Sequence, residues 1–252
     1  MKKIIITGAN GRMGRTTAEY VADRDDCTVV AGVDKRVNFM GNFKIFSSMD
    51  KIDKRADVLI DFSHPEFIWQ ILNFCTKKRL PAVICTTGFS DAQNKKIISA
   101  SSEIPIFLSE NMSISINLMT RICKEITRVL DREFDIEIIE RHHNKKIDAP
   151  SGTALMLANV MSSMKKDKQK YVYTRHSYRK PRAKNEIGIS CIRGGSVVGE
   201  HEVIFAGNNE ILSIKHSAQS KRVFVSGAIN AALFIIQKDP GLYTMSDLMG
   251  FV

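Results

Sequence analysis

The chain has 252 residues, 44% hydrophobic and 25% charged, with a formal net charge of +10. That length accommodates one large domain or two modest ones, and the balance is that of a soluble globular protein. No apolar run approaches the roughly 20 residues of a membrane span. The five cysteines (Cys27, Cys75, Cys85, Cys123 and Cys191) are scattered without a CxxC pair, so they suggest neither a disulfide framework nor a zinc site. No metal is expected.

The N-terminus, MKKIIITGAN, starts with charge, but Gly8, Asn10 and Arg12 break its apolar run too early for a signal peptide. A first strand and a cytoplasmic location are expected instead. Residues 3–7, KIIIT, read as a buried parallel strand. They enter Gly8-Ala-Asn-Gly-Arg-Met-Gly14, and a helical pattern follows over 12–22 with Met13, Thr17, Tyr20 and Val21 inward. The second strand, 28–33, ends at Asp34, twenty residues beyond Gly14. Strand, glycine turn, helix, strand and acid make a dinucleotide-binding fingerprint in a G-x-x-G-x-x-G variant. Gly8 permits the tight turn, Gly11 the approach of a pyrophosphate, and Gly14 close packing of helix on sheet. Asp34 can take ribose hydroxyls, which favours NAD. Lys35 and Arg36 follow it and can hold the 2′-phosphate of NADP, so NADPH and NADH both stay open.

Further strands are expected at 56–62, 81–86 and 104–108, with helices at 67–77 and from Ser90. Their C-terminal ends at Asp61, Thr86 and Ser109 should line one crevice. His64, before a proline in a strand-to-helix loop, reads as structural or cofactor-lining. Trp69 reads as a helix packing residue. A long helical pattern runs over 113–131, with Ile114, Leu118, Ile122, Ile126 and Val129 as its stripe.

The grammar then changes. Residues 134–141 alternate as a strand into ERHHNKKIDAPSGTA, residues 140–154. This stretch gathers two histidines, two lysines and a helix start, with Ser151 as N-cap. His142 and His143 should face opposite ways if the strand persists. Backbone amides at Gly152 and Thr153, with the positive helix end, favour an anion. The stretch suits a small acidic substrate. Residues 165–184, KKDKQKYVYTRHSYRKPRAK, carry much of the positive charge. Tyr171, Tyr173 and Tyr178 could stack on bases, but no nucleic-acid fold signature accompanies them, and a solvated loop is the better reading. Residues 187–193, 197–206 and 210–217 read as antiparallel strands joined by glycine turns, and 221–237 as a closing helix. His201 and His216 fall in these strands and read as structural or at a site edge. Arg193, before two glycines, could steer a carboxylate, but a turn arginine is the better reading. The expected fold is α/β: a Rossmann-like doubly wound parallel sheet domain (1–112 and 223–252) with an inserted α+β domain (113–222) of mixed or antiparallel sheet.

Together these residues resemble the 4-hydroxy-tetrahydrodipicolinate reductase family, formerly called dihydrodipicolinate reductases, of the diaminopimelate route to lysine. ERHHNKKIDAPSGTA matches every fixed position of its signature E-x-H-H-x-x-K-x-D-A-P-S-G-T-A. GANGRMGR, DFSHPE and TTGF resemble its cofactor turns, NMSISINL its domain crossover, and GGSVVGEHEVIFAG and SGAINAALFI its later segments. The resemblance implies that His142 is the general acid, Lys146 a second proton donor, and that His143, Gly152 and Thr153 contact substrate carboxylates. It implies that Gly8, Ala9, Asn10, Gly11, Arg12, Met13, Asp34, Cys85, Thr86, Thr87, Ser109, Glu110, Asn111 and Met112 hold the dinucleotide. Lys35 would reach a 2′-phosphate. It also implies a dicarboxylate cyclic imine precursor as substrate, a homotetramer, and domain closure. Cys85 departs from the family's usual glycine, and Glu110 and Ser115 stand where smaller residues are common.

Overall fold

The computed structural model describes residues 1–37, 39–130, 133–176 and 179–250. The chain divides into two compact units, residues 1–114 with 221–252, and residues 115–220. The inserted unit lies two residues inside the expected limits of 113 and 222 at each end.

The first unit begins with β1 (Lys2–Thr7), α1 (Arg12–Ala22), β2 (Cys27–Val33), β3 (Phe39–Met40) and β4 (Phe43–Phe46). It continues with β5 (Val58–Asp61), α2 (Ile68–Lys78), β6 (Ala82–Ile84), α3 (Asp91–Ser101) and β7 (Pro105–Leu108). These strands are short apolar runs, as expected where both faces are covered by helices. Ile4, Ile6, Val58, Ile60 and Val83 face one core, against helix residues further along the chain. Ile5, Leu59, Ala82, Ile84 and Ile106 face a second core against Ile68, Ile71 and Leu72 of α2 and Ile97 of α3. Burial of each such leucine or isoleucine contributes about 1.5–3 kcal/mol. Ser90 caps α3 in a reciprocal capping box with Gln93. That cap contributes about 1 kcal/mol. Trp69 is 47% exposed, so it is not the packing residue expected of it. Ile68 and Leu72 on either side fill the core instead.

The inserted unit holds α4 (Ile114–Leu130), β8 (Asp135–His142), α5 (Gly152–Met164), β9 (Lys170–Val172), β10 (Glu186–Arg193), β11 (Gly199–Ala206) and β12 (Ile211–Ala218). Its sheet order is β12-β11-β8-β10-β9, with β8 in the centre. The chain then returns to the first unit with α6 (Arg222–Ile235), β13 (Gly241–Tyr243) and α7 (Met245–Leu248). The first unit's sheet runs β13-β7-β6-β5-β1-β2-β4-β3. All its pairings are parallel except β3 with β4. This is the expected Rossmann-like doubly wound sheet, and α6 supplies Val225, Ala228, Ile229 and Ala232 to its first core.

Two expectations for the inserted unit are corrected. The first concerns residues 187–193, expected in an antiparallel series with 197–206. Instead β10 pairs parallel to β8, and β11 pairs antiparallel to the other edge of β8. The Gly194-Gly195 link is not a hairpin turn. Gly194 N–H donates to His142 O and Asn144 N–H to Gly195 O, so the link crosses the end of β8. A parallel partner needs a crossover, and α5 supplies one between β8 and β10. The second concerns α4. Its buried residues are Ile116, Met119, Cys123 and Thr127, while Ile114, Leu118, Ile122 and Val129 are exposed. Both stripes recur at three-to-four spacing, so periodicity does not choose between them. Asp131, the expected end of this helix, lies outside the described residues.

Candidate active site

In the first unit the glycine turn forms the cradle its spacing predicts. Gly8 has φ +69°, and a Cβ there would lie 2.5 Å from Phe62 O. A Cβ on Gly14 would lie 2.4 Å from Gly8 O, so only glycine lets α1 start this close to the turn. Asn10 N–H donates to Asp34 Oδ2 at 2.9 Å, which ties the turn to the acid ending β2. Asp34 lines a cavity of about 320 Å³ with Gly8, Lys35, Ser48 and His64. Lys35 is exposed, with Nζ 5.8 Å from the Phe67 ring centroid. A second cavity, about 520 Å³, is lined by Met13, Ser63, His64, Cys85, Thr86 and Thr87. His64 therefore lines both cavities.

Burial pushes the Cys85 thiol well above its usual range, with Asp61 adding to the effect, so it stays neutral. Asp61 was expected to line the crevice and does not. It is 1% exposed and accepts from the Thr7 hydroxyl and from the Ser63 amide and hydroxyl. It fastens the turn after β5 to β1. Ser109 bonds Asn111 O, Glu110 is exposed, and Met112 is buried beside Gly227 of α6. A further cavity of this unit, about 1050 Å³, lies at the opposite ends of the strands, around Pro81 and Pro105, away from the glycine turn.

In the inserted unit the chemistry lies at the end of β8. Its buried face reads Ile136, Ile138, Glu140, His142, so the alternation that fills the core delivers a carboxylate and an imidazole at its edge. Glu140 is fully buried. Arg193, on β10, grips it with both guanidinium ends at 2.7 Å and donates to Asp148 O at 2.6 Å. His142 Nδ1 lies 2.6 Å from Glu140 Oε2, and Ser151 N–H donates to Oε1 at 3.1 Å. Burial acts to raise the Glu140 carboxyl, but the bonds from Arg193 and His142 outweigh it and hold it at about 2. Burial, with Lys146 and Arg193, lowers the proton affinity of His142, and Glu140 offsets only part of that, so it falls below the usual value.

His142 Nε2 has no hydrogen-bond partner among the described residues. A Cβ on Gly199 would stand 3.1 Å from it, so this glycine keeps the nitrogen open. His201, from β11, packs edge-on against His142 at 5.2 Å and bonds Ser151 Oγ at 2.9 Å. Ser151 also caps α5, accepting from Ala154 N–H. The Gly152 amide belongs to the first turn of α5 and has no intrahelical acceptor. A Cβ on Gly152 would meet nothing within 4 Å, so that end is open. Lys146 pairs with Asp148 at 2.7 Å and is partly buried, whereas Lys145 is exposed. His143 is half-buried, and Thr153 follows Gly152 in the first turn of α5. Arg193 is therefore no turn arginine but the clamp on Glu140.

Profiles for the dihydrodipicolinate reductase family match both parts of the chain, the N-terminal one over residues 2–112 and the C-terminal one over 115–249. The chain belongs to the dihydrodipicolinate reductase family. It is 49% identical over 249 residues to the 4-hydroxy-tetrahydrodipicolinate reductase of Caldanaerobacter subterraneus, covering 99% of this chain and 98% of that one. It is 45% identical to the enzyme of the same name from Clostridium tetani, covering 99% and 97%. Among solved structures, a dipicolinate-bound dihydrodipicolinate reductase from Paenisporosarcina sp. TG-14 shares the fold, with TM-score 0.80 at 22% identity and 97% of each chain covered.

Within this reductase family site, sequence reasoning missed Glu140 and Arg193 as working parts. Glu140 was legible: the period of two through Ile136 and Ile138 already pointed it inward. Arg193 was not, because its role depends on the parallel pairing of β10 with β8. The basic stretch 165–184 also has structural work. Arg175 pairs with Glu137 and Glu186, and Arg182 reaches Asp135 and Glu137. Tyr171 bonds Asn159, Tyr173 is 54% exposed, and Tyr178 lies outside the described residues. No cluster of three or more metal-ligating side chains occurs among the described residues.

Proposed function

We propose that this chain reduces 4-hydroxy-tetrahydrodipicolinate to tetrahydrodipicolinate with a nicotinamide cofactor, His142 and Lys146 acting as proton donors. The observation that carries the reading is an imidazole with an open Nε2, backed by a buried carboxylate, beside an open helix N-terminus. Loss of water from the substrate gives a conjugated cyclic imine. A bound nicotinamide supplies the hydride. As the ring gains electrons it needs a proton, and the open His142 Nε2 supports the reading that His142 delivers it. In the unliganded chain His142 binds protons weakly, but the two carboxylates of the substrate favour its charged form. The first-turn amides at Gly152 and Thr153, with His143, take one carboxylate. Lys146 neutralises charge at the other or donates a second proton.

The residues of the glycine turn fit a dinucleotide, since Gly8 and Gly14 leave room at the backbone that a Cβ would fill. Asp34 suits the ribose diol and Lys35 with Arg36 a 2′-phosphate, so use of both NADH and NADPH is proposed. The engaged arginines of the 165–184 stretch favour this enzymatic reading over nucleic-acid binding. No helix among the described residues is long and apolar enough to cross a membrane. All five cysteines are free, which suits the reducing cytoplasm. The family resemblance supports a homotetramer.

Oxidation of NADPH and NADH followed with the cyclic substrate tests the activity. His142→Gln should lower kcat by about 10²–10⁴-fold. The KM for cofactor should stay as it was. Undiminished turnover by that variant would remove His142 as the acid.

A further inference from the structure

A histidine that delivers a proton must carry it on the ring nitrogen that faces the substrate, and its surroundings determine which nitrogen that is. Glu140 does so here. It is the one fully buried carboxylate at the end of β8, and it contacts three separate parts of the site. One oxygen meets His142 Nδ1 and the other the Ser151 amide, while the Arg193 fork spans both. Arg193 also holds Asp148 O, in the loop that carries Lys146. A carboxylate flanked this way can only accept, so the Nδ1 of His142 must be the protonated nitrogen. Nε2 is then bare in the neutral ring and gains its proton only when the ring is charged.

We propose that Glu140, clamped by Arg193, is the positioning residue of this site: it fixes His142 as the Nδ1–H tautomer and locks the start of α5 at a set distance from it. Proton donor and carboxylate seat thereby share one anchor. The arrangement explains why a charge is buried here. A neutral acceptor could hold Nδ1–H, but it could not also satisfy the guanidinium, and a buried charge without a partner is strongly destabilising. The groups facing His142 from the surrounding elements are Glu140 on its own strand, Lys146 on the following loop, Arg193 on β10 and His201 on β11. Glu140 is the only anion among them, so it alone holds the proton affinity of His142 up.

The inference rests on His142 as proton donor, but its first test does not. Long-range ¹H–¹⁵N spectra of the unliganded full chain near neutral pH report the tautomer, with the His142 signals assigned by their loss in His142→Gln. Nδ1–H is expected, and an Nε2–H ring in the wild-type protein would overturn the proposal even if no variant folds. In Glu140→Gln the tautomer preference should weaken and kcat should fall about 10²-fold. The KM for NADPH should be unchanged, and the loss of activity on raising pH should begin at lower pH. Arg193→Lys, which keeps the charge but not the fork, should fall between the two. A folded Glu140→Gln chain with the wild-type tautomer and pH profile would reduce Glu140 to a packing role. If His142→Gln keeps full turnover, the functional reading fails while the spectra still decide what Glu140 does.

Discussion

Single side chains carry the chemistry of this site, and burial and hydrogen bonding together set their charge. His201 is the clearest case. Burial, reinforced by neighbouring His142, pushes it down to about 3 from a usual 6.5. The unfolded chain takes up a proton below pH 6.5 that the folded chain refuses. The stability that His201 confers is therefore complete above that pH and is lost as pH falls toward 3. By about pH 5 the loss reaches about 2 kcal/mol. His216, also lowered by burial, adds to it in the same direction. Urea midpoints at neutral pH and at about pH 5 measure this slope, and His201→Gln should flatten it. An equal slope in that variant would assign the acid sensitivity elsewhere. His142 and Lys146 were legible through the signature. β8 ends at His142, which is buried as the last residue of its inner face, so the alternation expected for the pair stops short of His143, which follows the strand half-buried.

At the scale of elements, the glycine turn was readable because its demands are local. Gly8 needs a positive φ and Gly14 a missing Cβ, and both needs arise within one strand-turn-helix unit. Gly14→Ala would push a methyl into two backbone carbonyls, Gly8 O and Ala9 O. It should destabilise the first unit by about 1–3 kcal/mol. It should also weaken NAD(P)H binding, read as a lower thermal midpoint and a quenched fluorescence titration. A variant with wild-type values for both would show that α1 can shift freely. The opposite lesson comes from α4 and β10. Both carry apolar patterns compatible with two packings. The buried stripe of α4 is chosen by its match to Ile136, Ile138 and Leu157. The place of β10 is chosen by a parallel crossover through α5, which no local pattern announces.

At the scale of the whole molecule, excess positive charge is partly absorbed by the fold. Arg175 and Arg182 tie the basic stretch to Asp135, Glu137 and Glu186. The inserted unit still exposes Ile192 on β10 and the adjacent Ile211 and Leu212 on β12, at 47%, 70% and 43% exposure. Their burial between copies is the expected outcome of the proposed homotetramer. Light scattering should then give four times the 28.3 kDa chain mass. A monomer at enzymatic concentrations would overturn it, and Ile211→Glu should split the assembly if these residues form the contact. The sequence by itself determined the Rossmann-like sheet, the cofactor turn, the histidine-lysine signature and the helix cap at Ser151. Each is a short-range pattern whose physical need is met by neighbours in the chain. Tertiary structure alone decided that Arg193 clamps Glu140, that His201 backs His142, and that Gly199 opens Nε2. Those contacts join β8 to β10 and β11 across long stretches of chain, and hydrogen-bond geometry between strands exists only once the register is set.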